Sequence, residues 1–452
     1  MGDFLLQCAS RSATARGGVA GFFSRKIPVT TNVSDELVPS PILMYYLNMI
    51  KSSGRKGLRT WIEIDRKAIK HNYDVFRSLI SPKCKMLAVV KSNAYGHNLF
   101  EFAKEMQKNG ADFLGVDSVI EALALRREGI KIPILVLGYT LPEMLEEAVK
   151  KDISISVSSF ETLAEIKKLD CFAWLAKTEG MDPGLRRDDR RKGGDDIGKI
   201  RIHIKVDTGM SRHGFSEDEI TKVLKEIKNN KNIIVEGLFT HFAMAKNPAF
   251  PSYTNSQIEK FNKWRTAFLK AGLKPICHAS ATSGTLLFKE AHFDMVRVGI
   301  SLYGIWPSKE SQACCEGKIS LKPVLSWKTV IAEIKKLKKG TKVGYDCTET
   351  LFRDSVVAVI PVGYWHGYPR ALSSIGKVLV NGIFCKILGR VCMDIIMIDA
   401  TDVKGAKVGD EVTLIGKSSK KEVSADYLSS LIDGSTYEFL TRINPLIKRI
   451  YF

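Results

Sequence analysis

Between Met86 and Val298 the chain repeats one pattern: a short apolar run, then a stretch whose apolar positions recur every three to four residues. The apolar runs fall at Met86–Val90, Asp112–Val116, Ile134–Leu137, Ile153–Val157, Ile202–Val206, Ile233–Phe239, Pro275–His278 and Asp294–Val298. Helical patterns such as EFAKEMQKNG, VIEALALRREG and SQIEKFNKWRTAFLKAG separate them. A short apolar run without alternation suits a strand buried on both faces, and parallel strands need a crossover helix. Eight strand–helix units in succession predict an α/β fold, a closed TIM-like (β/α)8 barrel in preference to an open sheet.

The pattern changes after about Gly304. Segments such as DSVVAVIPVGY, GKVLVNGIFCKILGRVCMDIIMIDA and KVGDEVTLIG alternate with period two and are punctuated by glycine, which predicts a mainly-β domain. The expected organisation is a barrel over 58–305 followed by a β domain over 306–452. WIEID, from Trp61, reads as a strand, and RKAIKHNYDVFRSLI as the helix after it. Residues 1–57 read as a poorly ordered N-terminal extension; they are Arg- and Ser-rich at first, without the sustained apolar core of a secretory signal. Residues 171–199, rich in Gly, Asp and Arg, read as a solvated insertion between the fourth helix and the fifth strand. Its MDPGLRRDDR looks like a translated mobile repeat.

The net charge of +19 raises the question of nucleic acid or membrane partners. Neither is expected. The lysines are spread over amphipathic segments, no basic run is interleaved with aromatics, and no apolar stretch reaches the length of a membrane span. Nine cysteines without metal-ligand spacing read as reduced thiols in a cytoplasmic protein, and no metal site is expected.

In such a barrel the residues after the C-terminal ends of the strands share one rim. Lys91 follows the first strand. DTGMSRHG, with Arg212, follows the fifth, and His241 the sixth. Thr282 and Ser283 follow the seventh, and Arg297, Gly299 and Ile300 close the eighth. A desolvated lysine amine at a sheet rim loses its charge easily and can form a Schiff base. One such residue at a strand end is usually structural; their joint placement is hard to explain as packing.

Ala88–His97, AVVKSNAYGH, resembles the pyridoxal-phosphate lysine segment of alanine racemases. KVGYDCT, VGYWHGY and GRVCMD resemble other motifs of that family, in the family's order. The resemblance runs from about Trp61 to Arg449 and implies interconversion of L- and D-alanine by two bases, with pyridoxal 5'-phosphate as cofactor and D-alanine destined for peptidoglycan. The alternatives are a related racemase of broader specificity and an amino-acid decarboxylase, the latter expected to carry an acidic ring-nitrogen partner and to lack GRVCMD. Lys91 would hold the cofactor and serve as one base. Tyr95, Thr282, Ser283 and the backbone at Gly299 and Ile300 would hold its phosphate, and Arg297 would face its ring nitrogen. An arginine supplies no proton there, which weakens the ring as an electron sink.

By the same resemblance Tyr345 is the second base, Met393 binds substrate carboxylate through its backbone, and Tyr364 stands at the substrate entrance. Tyr345 and Met393 would reach the site from the other subunit of a homodimer. A phenol of ordinary pKa about 10 needs cations beside it to act as a base near neutrality, and Arg212 and His241 are the candidates, both expected near substrate. Lys205 aligns with a lysine that is carbamylated in some members; carbamylation and a simple ion pair with Asp207 or another acid both remain open. The chain departs from the pattern at Asp346, where glycine is usual, and at Trp365 and His366. Pro445 aligns with a phosphate-binding tyrosine of some members.

Overall fold

A computed structural model describes residues 54–169 and 198–452. The expected extension, apart from its last four residues, and the expected insertion, apart from its last two, lie outside the described residues. The first strand, β1 (Thr60–Ile64), leads into a helix over Arg66–Leu79. Asp65 caps that helix by accepting from the N–H groups of Lys67 and Ala68, which would otherwise be orphaned in the first turn.

Eight parallel strands follow: β2 (Lys85–Val89), β3 (Phe113–Val116), β4 (Ile134–Val136), β5 (Ile153–Val157), β6 (Ile200–Lys205), β7 (Ile233–Phe239), β8 (Ile276–His278) and β9 (Met295–Val298). They match the eight apolar runs to within a residue or two. Their order is β8-β7-β6-β5-β4-β3-β2-β9. The two ends of the sheet meet where Asp294 N–H donates to Cys277 O (3.0 Å) and Arg297 N–H to Ser280 O (2.9 Å). Side chains along β2 part in two directions. Leu87 and Val89 pack with Phe113, Leu135 and Met295 inside the barrel, while Met86, Ala88 and Val90 join the layer shared with the helices. With both faces buried, such a strand has no polar alternation to show.

The second sheet contains β10 (Leu325–Val330), β11 (Glu333–Leu337), β14 (Ser355–Ile360), β15 (Lys377–Val380), β16 (Ile383–Leu388), β17 (Ile396–Asp399), β18 (Glu411–Ser418), β19 (Lys421–Val423) and β20 (Arg449–Tyr451); β12 (Lys342–Val343) and β13 (Glu349–Thr350) form a separate short hairpin. It also takes in β1, which pairs antiparallel with β10 (Trp61 opposite Lys328) and parallel with β20 (Glu63 opposite Ile450). The range of 58–305 expected for the barrel therefore includes one strand whose hydrogen bonds belong to the second sheet. Its partner β10 alternates buried and half-buried positions, the pattern of a sheet with one face on the core.

The last strand also reaches the barrel rim. Arg449 Nε donates to Gly96 O (3.0 Å), and the Tyr451 hydroxyl donates to His97 O (2.7 Å). Among the described residues no helix is long and apolar enough to cross a membrane. The seven described cysteines are all unpaired.

Candidate active site

Strand β2 ends at the lysine, and the chain then makes an unusual turn. Ser92, Asn93, Ala94 and Tyr95 all have positive φ, between 51° and 56°. A left-handed residue other than glycine costs roughly 1–2 kcal/mol, so four in succession persist only where neighbours fix them. Here Ala94 N–H donates to Val90 O (2.9 Å), and Asn93 Oδ1 accepts from Leu99 N–H (3.0 Å). Glu121 accepts from the N–H groups of Ser92 and Asp117, both at 2.8 Å, which joins the turn to the end of β3. Lys91 Nζ then pairs with Asp117 Oδ1 at 2.9 Å.

The turn half-buries Tyr95 with its hydroxyl against Gly299, where an added Cβ would lie 2.9 Å from Oη. Glycine is therefore required for this approach. Burial pushes the Tyr95 phenol up to about 12, so it remains a donor at neutral pH. The same cavity, about 540 Å³, is lined by Lys91, Thr282, Ser283, Ile300 and Tyr437. Tyr437 lies 6.0 Å from Tyr95, ring centre to ring centre, and burial raises its phenol also. Pro445, by contrast, is exposed and does not line the cavity. The C-terminal tyrosine at this site is thus Tyr437. The expected match at Pro445 passed over it, although Tyr437 stands eight residues earlier in STYEFLTR.

Arg297 is fully enclosed at the base of the cavity, and burial pushes it down to about 9. Its NH1 lies 2.9 Å from His278 Nδ1 and its NH2 3.1 Å from His241 Nδ1, with the carbonyls of His278, Thr240 and Ala279 taking the remaining bonds. No carboxylate touches it, and its Nε–H has no partner among the described residues. Because a guanidinium only donates, the tautomers follow. His278 accepts at Nδ1 and donates from Nε2 to His203 Nδ1 (2.9 Å). His203 Nε2 then donates to Glu236 Oε2 (3.1 Å), which also accepts from the Ser154 hydroxyl. Two neutral imidazoles thus link a buried cation to a half-buried anion through the barrel interior. The bulge in β7 at Glu236, between the pairs Ile202–Val235 and His203–Gly237, and the missing side chain of Gly237, where a Cβ would sit 2.0 Å from His203 Nδ1, make the room.

Burial alone would raise Glu236, but hydrogen bonds from His203 and Ser154, with the charge of Arg201, outweigh it and hold the carboxyl below its usual value. A depressed carboxylate stabilises the folded state above its unfolded pKa, and that contribution fades as pH falls below about 4.5. Glu236→Gln is therefore expected to lower the melting temperature at pH 7 and to flatten its decline as pH falls below about 4.5. Thermal melts across that range check this.

On the far side of the cavity, Asp207 Oδ1 accepts from the N–H groups of Gly209, Met210 and Ser211 (2.8, 2.8 and 3.1 Å), shaping the loop that presents Arg212. Lys205, His241 and Arg212 all line the cavity. His241 differs from expectation. Burial first, then the charges of Arg297, Arg212, Lys205 and Lys91, push it down to about 3. It is neutral, not the cation expected.

Three expected residues are not in this cavity. Tyr345, Met393 and Tyr364 lie on the β domain, 69%, 55% and 43% exposed, and none lines the cavity of its own chain. Asp346 takes the position where glycine is usual with φ of 58°, and its carboxylate pairs with Arg390 Nε at 2.7 Å. That bond ties the Tyr345 turn to the GRVCMD segment. His366 is buried and accepts from Gly363 N–H (3.2 Å), while Trp365 points to solvent.

Residues 64–307 match the family model described as alanine racemase, N-terminal domain, and residues 324–451 the model described as alanine racemase, C-terminal domain. The chain belongs to the alanine racemase family. Among curated alanine racemases it is 37% identical over 394 residues to that of Methanococcus maripaludis, covering 86% of this chain and 98% of the relative. It is 37% identical over 397 residues to that of Symbiobacterium thermophilum, covering 87% and 98%. Among solved structures, the Clostridium difficile alanine racemase superposes with a TM-score of 0.77 at 31% identity, covering 87% of this chain and 96% of that one. The Bacillus anthracis alanine racemase, solved with bound L-Ala-P, superposes with 0.77 at 32%, covering 87% and 95%. As in the alanine racemases it resembles, the parallel barrel is followed by a mainly-β domain.

Proposed function

We propose that this chain interconverts L- and D-alanine, using pyridoxal 5'-phosphate and one base on each face of the substrate Cα. The observation that carries the reading is a single cavity faced by a lysine amine, a set of hydroxyl donors and a buried arginine with no acid beside it. The group fits these residues: Lys91 for its aldehyde carbon, Tyr95, Thr282, Ser283 and Tyr437 with the Gly299–Ile300 backbone for its phosphate, and the unpartnered Nε–H of Arg297 for its ring nitrogen. When bound, it withdraws electrons from the substrate and makes the Cα proton acidic.

The chain's own groups do the rest. Lys91 Nζ takes or returns the proton on one face of Cα, and Tyr345 Oη does so on the other. Arg212 and the backbone at Met393 hold the substrate carboxylate, and Tyr364 narrows the entrance. His241 accepts from Arg297 and orients it. The exposure of Tyr345 and Met393, together with exposed Phe352, Trp365 and Ile395 on the same domain, supports a homodimer in which they serve the partner's cavity. The unpaired thiols agree with a cytoplasmic protein that supplies D-alanine for peptidoglycan.

Lys205 fits carbamylation. Burial, then the charges of Arg212, Arg297 and Lys91, push its amine down to about 8 against the pull of Asp207. Its Nζ lies over the Phe239 ring, 5.6 Å from the centroid, and is not ion-paired among the described residues. A neutral amine adds carbon dioxide to give a carbamate and a proton. Native mass spectrometry of carbon-dioxide-replete protein is expected to show the added mass of one carbon dioxide, absent from Lys205→Ala; an unmodified mass in both refutes it.

The test of the function is chiral analysis of L-alanine incubated with the protein and pyridoxal phosphate, with L-serine and L-lysine alongside. Conversion to equal L- and D-alanine, with little change in the others, is expected. Alanine that stays L overturns the reading.

A further inference from the structure

Among the described residues, five basic side chains line the active-site cavity: Lys91, Lys205, Arg212, Lys246 and Arg297. No carboxylate of those residues lines it with them. In the reading above, Lys91 takes the cofactor aldehyde, Arg297 its ring nitrogen and Arg212 the substrate carboxylate, and Lys205 fits carbamylation. Lys246 is left over.

The phosphate has the opposite shortage. Its donors in that reading are the hydroxyls of Tyr95, Thr282, Ser283 and Tyr437 and the backbone at Gly299 and Ile300, all of them neutral. Burial raises both phenols, so they stay un-ionised near neutral pH. A phosphate monoester carries a charge of about −1.5 to −2 at pH 7. Neutral donors fill its lone pairs but leave that charge uncompensated, and hydrogen bonds to an ionised partner are strongest where the donor is ionised too.

Lys246 stands beside one of those donors. It lies in the loop after β7, and its carbonyl accepts from the hydroxyls of Ser308 (3.0 Å) and Ser311 (3.3 Å), which hold its backbone at the cavity wall. Its side chain is exposed, so the ammonium borders open space. Its Nζ lies over the Tyr437 ring, 5.0 Å from the centroid, and is not ion-paired among the described residues. A cation over a ring at an exposed site is held weakly. The ring that Lys246 covers carries the hydroxyl assigned to the phosphate, and a lysine stem is flexible, so a modest swing takes the ammonium from the ring face to an anion at that hydroxyl.

We propose that Lys246 is a cofactor-binding residue that supplies the positive charge of the phosphate site, leaving the Tyr437 ring for the phosphate when the cofactor enters. The inference rests on the proposed function, because the phosphate is the cofactor's.

The test is uptake of pyridoxal phosphate, and of pyridoxal, which lacks the phosphate, by the full chain freed of cofactor. The readout is the change in aldehyde absorbance on attachment to Lys91. Lys246→Met keeps the apolar stem and removes the charge, and is expected to bind pyridoxal phosphate about tenfold more weakly with its affinity for pyridoxal unchanged. Lys246→Arg keeps the charge and is expected to stay within about twofold of the unaltered chain for both compounds. Equal affinity of Lys246→Met and the unaltered chain for pyridoxal phosphate overturns the inference. So does an equal loss for both compounds, which would make Lys246 a wall residue only, and so does a loss in Lys246→Arg as large as that in Lys246→Met. If the unaltered chain takes up neither compound, the proposed function itself falls and takes the inference with it.

Discussion

Lys91→Ala is expected to abolish racemisation, with a rate loss beyond about 10³-fold, and to let pyridoxal phosphate be washed from the protein by gel filtration. The loss would not come from unfolding. The ion pair that Lys91 makes with Asp117 is half exposed, and pairs of that kind contribute about 0–1 kcal/mol. Lys91→Arg sharpens the test: it can keep the charge beside Asp117 but can neither form the covalent link nor exchange a proton near neutral pH. If Lys91 were only a structural cation, the arginine variant would be active. Activity in either variant, or cofactor that survives gel filtration in Lys91→Ala, overturns the central assignment.

Tyr345→Phe is expected to lose about 10²- to 10⁴-fold in racemisation while keeping its cofactor. In deuterated water the Cα proton of one alanine enantiomer should still exchange, through Lys91, while exchange from the other enantiomer collapses. The subunit origin of the tyrosine can be tested by mixing. In a dimer of one Lys91→Ala chain and one Tyr345→Phe chain, one site carries both lesions and the other carries neither, if Tyr345 crosses the interface. Random reassociation of the two inactive proteins should then restore about a quarter of unaltered activity. No recovery, in a sample shown to contain mixed dimers, refutes the crossed arrangement. Equal, mild exchange losses for both enantiomers remove Tyr345 as a one-face base.

The barrel was readable because its strands are buried on both faces, so each appears as an unbroken apolar run. β1 was harder. Its five residues look like the start of the barrel that follows, and only pairing with β10 and β20, hundreds of residues later, assigns it to the other sheet. At the site, the lysine turn and the residues of β9 were legible because they sit on strands whose ends must share a rim. The His278–His203–Glu236 chain was not. Its members come from three strands and point into the barrel interior, where single letters in apolar runs give no sign of contact. His241 was misjudged as a cation because its charge depends on burial and on four surrounding positive groups, none of them local in sequence. Asp117 went unmarked for the same reason: it sits in the short link between β3 and the helical pattern VIEALALRREG, and the lysine it meets is 26 residues away.

The hydrogen bonds that Arg449 and Tyr451 make to the carbonyls of Gly96 and His97 give an edge strand an unusual weight. Edge strands are often short and expendable, but this one fastens one sheet to the rim of the other. Deleting Arg449–Tyr451 would remove β20, uncover β1, and free the loop that follows Lys91. Such a deletion, far from any substrate contact, should therefore read out genetically as a null allele, leaving a cell that depends on this copy dependent on supplied D-alanine.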